Sequence, residues 1–287
     1  MKKKHHTPFL LRFTRWLFPK IEIMFPGLAV RYLERIFFTP LKYKTPDKEV
    51  EAEGLAVQSS IMVDNKRIQL YEWGSHSQPY VLVIHGWAGR ATQFRKFIPV
   101  FNSAGLKVVG FDGPAHGKSS GKQTTIAEFE KVLNRIIEDK GVPEGIIAHS
   151  FGGGAALFAI SHGLPVKKLI NIASPTLADE IIKSFIQAIN GSWNTGLKFK
   201  EFIHKKFGRP FEDFTALKVI EQIHDLELLL VHDSEDREVS LVQAQALKNK
   251  YPRTHLLVTH GLGHNRILKD DAVIAACLGF IQNGRAV

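Results

Sequence analysis

Three polar residues stand where predicted strands end, and their types fit nucleophilic catalysis. Ser150 lies in the segment AHSFG (148–152), between a predicted strand and a predicted helix of small residues. A serine hydroxyl is a weak nucleophile, so it needs a base and an acid that orients the base. Asp236 and His264 each follow a later predicted strand. The chain order serine, acid, histidine is typical of a nucleophile on a strand-to-helix turn.

The acid has several candidates in one loop. The predicted strand at 226–232 runs into a segment that contains Asp233, Glu235, Asp236 and Glu238. Asp233 follows the strand too closely to reach across, and a solvated acidic loop is the simpler interpretation of Asp233, Glu235 and Glu238. Asp236 lies further into the loop, so it is the predicted acid.

The base has two candidates after the last predicted strand. His260 adjoins that strand, whereas His264 comes after two glycines in the segment 261–263, which give the loop freedom to present the imidazole. A single histidine is usually a surface or packed residue, but this position and the chain order favour His264 as the base. Two earlier histidines, His85 and His116, are expected to shape the site without taking part in catalysis.

Two backbone N–H groups are candidates for stabilising negative charge beside the serine. Trp87 lies in the segment HGWAG (85–89), where small residues let the loop bend toward Ser150. Phe151 opens the helix after Ser150, and N–H groups at a helix N-terminus favour developing negative charge. Together they predict an oxyanion hole. The glycines at 152–154 could also mark a nucleotide loop, but neither G-x-G-x-x-G nor G-K-[ST] occurs.

The rest of the pattern predicts the framework that positions these residues. Apolar runs of strand length alternate with helical segments from residue 80 onwards, which indicates a mostly parallel sheet with helices on both faces. Ligands bind at the carboxyl ends of such strands. The predicted strands lie at 80–85, 107–112, 145–148, 168–173, 226–232 and 255–259, the helices at 91–104, 124–140, 153–161, 241–250 and 271–282, and a hairpin at 55–73 that turns at 64–65.

About fifty residues between two of these strands, at roughly 175–225, exceed the dozen or so that a crossover requires. They read as helical and predict a cap at the ligand-binding edge. The cap could bury its aromatic residues against the core, or some of them could line an apolar pocket. These aromatic residues are Phe185, Trp193, Phe199, Phe202, Phe207, Phe211 and Phe214.

Composition and charge exclude several classes of protein. The chain has 287 residues, of which 44% are hydrophobic and 23% charged, as in an ordinary globular protein. Its one cysteine, Cys277, excludes a disulfide framework and a cysteine-based zinc site. Residues 1–48 hold eleven Lys or Arg and three Asp or Glu, which leaves only +2 of the net charge of +10 for the body. The high pI therefore does not indicate nucleic-acid binding.

Residues 1–50 are predicted to be a basic helical arm that precedes a main domain at 51–287. The arm opens with Lys2, Lys3 and Lys4 like a signal peptide, but Arg12 and Arg15 interrupt its apolar stretch and no small-residue cleavage site follows. The sequence therefore predicts a cytoplasmic protein.

One face of the arm helix is apolar and could have either of two partners. The favoured interpretation is a helix packed on the domain with a solvated basic face. The alternative is a helix on an anionic membrane surface, which would make the protein peripheral at the membrane. The apolar face carries Phe9, Phe13, Trp16 and Leu17.

From residue 55 to 285 the chain resembles the α/β-hydrolase superfamily. The likeness is carried by HGW (85–87), FDGPAHGKS (111–119), AHSFGG (148–153), HDSEDREV (232–239) and GLGHNRIL (261–268). It is most similar to bacterial serine hydrolases that share HGW-x-GR, D-x-PAHG-x-S and AHS-x-GG. Two departures are Ala148, where glycine is usual, and Asp233, where glycine often stands. The arm lies outside the common fold.

The resemblance implies an α/β-hydrolase fold whose helical cap lies between strands 6 and 7 of the family order. It also implies a catalytic triad of Ser150, Asp236 and His264, an oxyanion hole at Trp87 and Phe151, and no cofactor or metal. The expected activity is hydrolysis of a small-molecule carboxylic ester through an acyl-enzyme. A membrane-associated lipid or thioester hydrolase, and a non-catalytic binding protein with this fold, are the alternatives. The oligomeric state stays open.

Overall fold

The computed structural model of the protein describes residues 9–284, so Lys2, Lys3 and Lys4 lie outside the described residues. The described chain divides into two compact units. The sheet unit contains residues 39–176 and 214–284, and the helical unit contains residues 9–38 and 177–213. Within residues 9–284, no helix combines the length and the apolar character needed to cross a bilayer.

The sheet unit holds an eight-stranded sheet within the described residues. The spatial order is β1-β2-β4-β3-β5-β6-β7-β8, with β1, β2 and β4 paired antiparallel and the other neighbours paired parallel. The strands are β1 (Val57–Val63), β2 (Lys66–Trp73), β3 (Tyr80–Ile84), β4 (Lys107–Phe111), β5 (Gly145–His149), β6 (Lys168–Ile172), β7 (Glu227–Asp233) and β8 (His255–Thr259). This arrangement confirms the predicted mostly parallel sheet and the hairpin that turns at residues 64–65.

Helices cover both faces of the sheet, as the sequence pattern predicts. The central strands are buried on both sides: Leu82 and Ile84 belong to one apolar cluster, and Val81 and Val83 to the other. The α-helices of the sheet unit are α3 (Asp47–Gly54), α4 (Phe97–Ser103), α5 (Ile126–Lys140), α6 (Phe151–Ser161), α9 (Ala216–Val219), α10 (Leu241–Lys250), α11 (Gly263–Arg266) and α12 (Asp271–Asn283), and those of the helical unit are α1 (Phe9–Met24), α2 (Pro26–Phe37), α7 (Ala178–Ala188) and α8 (Trp193–Phe207).

The continuous helix predicted at 91–104 is wrong. The segment forms a 3₁₀ turn at Ala91–Phe94 and then α4. Pro99 explains the break: a proline inside a longer helix would lack the N–H for one helical bond and would clash with the carbonyl four residues earlier. Starting the helix at Phe97 places Pro99 in the first turn, where neither problem arises.

The helical unit has its own aromatic core, and this core joins the arm to the insertion. Phe37 of α2 lies 5.0 Å, ring centre to ring centre, from both Phe185 and Phe199, and 5.9 Å from Phe211. These aromatic residues of the insertion therefore pack around a residue of the arm. Phe214 lies in the sheet unit instead, with its ring 5.9 Å from that of Phe158.

Two predicted boundaries differ from those of the structure. The arm was expected to end at residue 50, but residues 39–54 belong to the sheet unit, where α3 buries Ala52. The insertion was expected to reach about residue 225, but it leaves the helical unit after residue 213. Ala216, Val219 and Ile220 are buried in the core beneath the sheet, and this burial holds the segment there.

The prediction that Phe13 and Trp16 lie on the packed face of the arm helix is also wrong, and the side chain of Phe9 lies outside the described residues. Phe13 and Trp16 are exposed, whereas Thr14 and Phe18 are buried. Phe18 packs against Tyr32 of α2, with ring centres 6.0 Å apart, and lies close to Gly191. Helix α1 therefore has a second apolar face, which packs against Tyr32 of α2 and lies close to the distant Gly191.

Candidate active site

Ser150 lies on a strained turn between β5 and α6. Its φ of 52° and ψ of −123° are unfavourable for a residue with a Cβ, and such strain persists only where the surrounding structure enforces it. Here the Ser150 N–H donates to the Ile172 carbonyl oxygen at 2.9 Å, and the Ser174 hydroxyl donates to the Ser150 carbonyl oxygen. The turn therefore fixes the direction in which the hydroxyl projects.

Small residues around Ser150 allow this turn to pack closely. A Cβ on Gly152 would lie 2.6 Å from the His85 carbonyl oxygen, and a Cβ on Gly153 would lie 1.9 Å from Asn171 Oδ1. Ala148 departs from the glycine that the resemblance leads us to expect at this position. Its methyl group is fully buried in the core, so this departure is accommodated by packing.

His264 connects Ser150 to a buried carboxylate. The Ser150 hydroxyl oxygen lies 3.1 Å from His264 Nε2, and His264 Nδ1 lies 2.8 Å from Asp236 Oδ2. An ionised carboxylate can only accept hydrogen bonds, so Nδ1–H donates to Asp236 and Nε2 is left to accept from the serine. Ser150 and Asp236 lie 86 residues apart in sequence, and the strand ends bring both of them to one imidazole.

Asp236 is held in a fixed orientation by its own loop. Its Oδ1 accepts the backbone N–H groups of Glu238 at 2.8 Å and Val239 at 3.0 Å. Burial alone would raise the pKa of Asp236, but the hydrogen bonds from His264 and from these N–H groups outweigh it and lower the pKa below the ordinary value. The carboxylate therefore stays charged beside His264 at neutral pH.

Asp233 does not belong to a solvated loop, contrary to the sequence interpretation. It is fully buried at the end of β7, where its carboxylate accepts the Thr259 hydroxyl at 2.8 Å and the backbone N–H groups of Leu262 and Glu235 at 3.0 Å each. Because Leu262 precedes α11, Asp233 anchors the loop that carries His264. Its role is one of position, and the strand pattern gave no sign of it.

The other competing groups lie on the surface. Glu235 and Glu238 are exposed, as the sequence predicts, although Glu238 Oε2 comes within 3.9 Å of His264 Nε2. His260 is exposed and its Nδ1 lies 2.7 Å from the hydroxyl oxygen of Ser234. The molecule thus has a second serine–histidine pair in which the serine is not on a strand-to-helix turn.

His149, next to the serine, was not singled out from the sequence. Its Nε2–H donates to the His264 carbonyl oxygen at 2.9 Å, and the two ring centres lie 4.8 Å apart. Burial, together with the nearby His264, lowers its pKa to about 3, so the ring is neutral. The sequence did offer one signal for His149: it is the last residue of the motif AHSFGG before the serine. A polar residue at the end of that strand lies close to the loops that follow the neighbouring strands.

His85 has the structural role that the sequence predicts. Its Nδ1–H donates to the Gly86 carbonyl oxygen at 2.7 Å, and its Nε2 accepts the backbone N–H of Gly113 at 2.8 Å. The ring is completely buried, and this burial lowers its pKa to about 4. A neutral His85 therefore ties the loop after β3 to the loop after β4. His116 is also buried, and its ring centre lies 4.8 Å from that of His85.

The segments that carry Trp87 and Phe151 meet at Ser150. A Cβ on Gly86 would lie 2.9 Å from the Ser150 Cβ, so glycine is required for the loop before Trp87 to come this close. Phe151 is the first residue of α6, and a helix leaves its first four N–H groups without an intrahelical acceptor. The rings of Trp87 and Phe151 pack edge to face with centres 5.3 Å apart.

No group of three or more His, Cys, Asp or Glu residues within residues 9–284 is placed to hold a metal ion.

Comparisons with known proteins agree with this architecture. A family model described as the alpha/beta hydrolase fold matches residues 79–214. A human serine hydrolase-like protein is 31% identical over 136 residues, which is 44% of this chain and 65% of that protein. A monoacylglycerol lipase of Mycolicibacterium smegmatis is 28% identical over 102 residues, which is 32% of this chain and 36% of that protein. The chain thus spans less than two thirds of the length of either relative.

Solved structures extend the likeness to most of the chain. An esterase from Pyrococcus furiosus superposes with a TM-score of 0.63 at 19% identity, covering 87% of this chain and 97% of that one. The chain has the α/β-hydrolase fold, and residues 79–214 are similar to the family that this fold defines.

Proposed function

We propose that the protein is a serine hydrolase that cleaves carboxylic esters through an acyl-enzyme intermediate. The observation that carries this proposal is the continuous hydrogen-bonded chain from Ser150 through His264 to Asp236, with distances of 3.1 and 2.8 Å. Such a chain turns a weak hydroxyl nucleophile into a reactive one, because the histidine takes the proton as the serine attacks.

In the proposed acylation step, the Ser150 oxygen attacks the ester carbonyl carbon while His264 Nε2 takes the hydroxyl proton. Asp236 stabilises the imidazolium and keeps Nδ1–H pointing toward itself. The tetrahedral intermediate collapses, the proton passes from His264 to the leaving alcohol, and the acyl group stays on Ser150. A water molecule that His264 deprotonates then attacks the acyl-enzyme, which releases the acid and restores the serine.

The backbone N–H groups of Trp87 and Phe151 are the proposed oxyanion donors. The close approach of Gly86 to Ser150 and the position of Phe151 at the start of α6 support this role. Donors of this kind act on charge that develops in the transition state, and losing one would cost about 10²–10³ in rate. Backbone donors cannot be removed by a side-chain substitution, so the nucleophile offers the sharper test.

The choice of an ester is supported by two kinds of evidence. The names of the two curated relatives are serine hydrolase-like protein and monoacylglycerol lipase, and a lipase of the latter kind acts on a carboxylic ester. A serine on the turn between β5 and α6 also argues against haloalkane dehalogenase and epoxide hydrolase chemistry. In the superfamily that this chain resembles, those enzymes use an aspartate at that position. An apolar acyl group of small or medium size is the proposed substrate class. Thioester and amide bonds are the less favoured substrates.

The cytoplasmic location stays a prediction from the sequence.

A chain-length series of p-nitrophenyl esters tests the proposal. The wild-type protein should hydrolyse at least one ester of the series, and the dependence of kcat/KM on length should measure the acyl pocket. Ser150→Ala should abolish this turnover. Ser234→Ala is the matched control, because Ser234 also contacts a histidine but lies on an exposed loop. Turnover that survives Ser150→Ala, or that depends equally on Ser234, would refute the proposed nucleophile.

The rival class is a binding protein that keeps the fold without catalysis. A folded wild-type protein that neither turns over any ester nor reacts with a fluorophosphonate would favour that class. The contacts of Ser150, His264 and Asp236 speak against it, because a fold without catalysis has no need to keep all three groups in hydrogen-bond contact.

A further inference from the structure

An unusual group of apolar side chains faces solvent where α1 turns into α2. We call these five residues the apolar tip: Ile23, Met24, Phe25 and Leu28 at the junction, and Trp16 about two helical turns earlier on α1. Ile23 is 81% exposed and Met24 68% exposed, and the other three are exposed by more than half. Isolated exposed apolar residues are ordinary, but several large ones on one helix pair mark a surface that meets something else.

The apolar tip is not the unfinished edge of the core of the helical unit. The two helices already bury a different face, on which Phe18, Ala29 and Leu33 are almost completely inaccessible. Phe13 lies on the exposed side as well, with its ring centre 5.9 Å from that of Trp16. Helix α1 therefore presents one apolar face to α2 and a second, together with the helix junction, to solvent.

The charges close to the apolar tip are positive. Arg12, Lys20 and Arg31 are exposed, and each lies three or four residues from a member of the tip, which places it beside that member on a helix surface. The Lys20 ammonium group lies over the Trp16 ring, 3.3 Å from its centre. An aromatic ring beside a long basic side chain is typical of groups that span a boundary between apolar and polar surroundings.

The two acidic residues of these helices are engaged inside the helical unit. The Glu22 carboxylate accepts the Ser192 hydroxyl at 3.0 Å and the Thr195 hydroxyl at 2.8 Å. Glu34 pairs with Lys206 of α8. Neither carboxylate therefore neutralises the exposed basic groups around the apolar tip.

We propose that the apolar tip docks on an anionic lipid bilayer, with its apolar side chains in the headgroup boundary and its basic residues on the phosphates. Apolar side chains flanked by Lys and Arg are what such a surface requires. A second copy of the chain fits less well, because a two-fold contact would bring Arg12, Lys20 and Arg31 toward their own equivalents. The proposal does not depend on the proposed catalysis.

Co-sedimentation of the full chain with vesicles tests the docking. We expect binding to vesicles of phosphatidylcholine mixed with phosphatidylglycerol to be about 100-fold tighter than to phosphatidylcholine alone, since each of the three exposed basic residues should tighten binding to an anionic surface about fivefold. Added salt should weaken the binding because it screens these charges. Absence of binding to the mixed vesicles would overturn the proposal, and so would equal binding to both kinds.

Matched variants locate the binding surface. The double substitution Ile23→Ser with Phe25→Ser should weaken binding to mixed vesicles at least about tenfold, given the apolar area removed. Met62→Ser on β1 and Leu197→Ser on α8 change other exposed apolar side chains outside the tip and should have no effect. Lys20→Glu should weaken binding more than Lys205→Glu, which alters an exposed charge on α8. Equal losses in test and control variants would contradict the assignment.

Two further measurements distinguish docking on a bilayer from self-association and from an effect on catalysis. Light scattering should give a monomeric mass that Ile23→Ser with Phe25→Ser does not change, whereas a dimer lost in that variant would show that the tip binds a second copy. Turnover of a soluble ester should be unchanged in the same variant. A protein that binds vesicles but hydrolyses no ester would retain the docking surface and lose only the proposed function.

Discussion

The carboxyl edge of the sheet around Ser150, called the rim below, and the apolar tip of the helical unit differ in how their side chains are held. The rim fixes its polar groups by internal hydrogen bonds, and the tip exposes apolar side chains to solvent. Around Ser150, each of the two buried carboxylates, Asp233 and Asp236, accepts three hydrogen bonds. At the tip, large apolar side chains extend into solvent with basic residues beside them. A site that has to place a few atoms accurately needs internal partners, whereas a surface that meets a fluid boundary needs exposed area and charge.

Removing the nucleophile should produce the largest difference in kcat between a variant at the rim and a variant at the apolar tip. Ser150→Ala is expected to lower kcat for an activated ester by about 10⁶-fold, because an alanine cannot form the acyl-enzyme. Steady-state kinetics on the soluble ester should show no loss for Phe25→Ser at the tip. If Phe25→Ser lowers kcat as well, the two regions are not independent.

The two aspartates after β7 should differ in the kind of damage that their loss causes. Asp236→Asn is expected to lower kcat by about 10⁴-fold, because an amide does not hold the imidazole in the tautomer that accepts the serine proton. Asp233→Asn should mainly lower the free energy of unfolding, by about 1–3 kcal/mol, since it disturbs buried hydrogen bonds of the His264 loop.

Ester kinetics and urea unfolding on both aspartate variants provide the check. A loss of kcat in Asp233→Asn as large as that in Asp236→Asn would show that the assignment of acid and anchor is mistaken.

The rim should also make the stability of the protein depend on pH. Burial lowers the pKa of His85 to about 4 and of His116 and His149 to about 3, whereas each titrates near 6.5 in the unfolded chain. Between these values the unfolded chain binds more protons, so the free energy of unfolding should fall as the pH falls below about 6.5. Each such histidine contributes up to about 1.4 kcal/mol per pH unit.

Urea unfolding between pH 7 and pH 5 measures this slope. His116→Asn should reduce the slope by the contribution of one histidine, and His76→Asn, at an exposed position, should leave it unchanged. Stability that does not change over this range would mean that the buried rings are not held neutral.

Gly153 and Gly154 are neighbours in α6, and replacing each with alanine should change the free energy of unfolding in opposite directions. Gly153→Ala should lower the free energy of unfolding by about 1–3 kcal/mol, because its Cβ would lie 2.0 Å from the Ser174 hydroxyl oxygen. Gly154→Ala should raise it by about 0.5–1 kcal/mol, since nothing lies within 4 Å and alanine favours the helix. Thermal melts of the pair, run together, check the sign. Two changes of the same sign would contradict the packing described around Ser150.

The sequence was informative at the rim because local rules govern it. A parallel strand must end at the edge where its neighbours end, so the strand ends and the chain order serine, acid, histidine predict that Ser150, Asp236 and His264 meet. Glycines 261 and 263 have φ values of +75° and +63°, which fits the freedom predicted for that loop. Asp233 was misread because its partners, Thr259 and Leu262, belong to a different strand and loop.

The sequence was less informative for the helical unit because its packing is decided by distant residues. Phe13 and Trp16 lie on one face of α1 and Phe18, which is similar in type, lies on another, so periodicity could not tell which face finds a partner. The choice depends on Tyr32 of α2 and on Gly191, which lies more than 170 residues further along the chain. Which apolar face of α1 is buried and which is exposed therefore emerged only with the structure.

The most direct test of the central claim is to map the site of fluorophosphonate labelling by peptide mass spectrometry. The protein should carry one adduct, on the hydroxyl oxygen of Ser150, and labelling should be lost in Ser150→Ala and much slowed in Asp236→Asn. An adduct on another residue such as Ser234, or labelling of Ser150→Ala at the wild-type rate, would contradict the assignment of Ser150 as a nucleophile activated by His264.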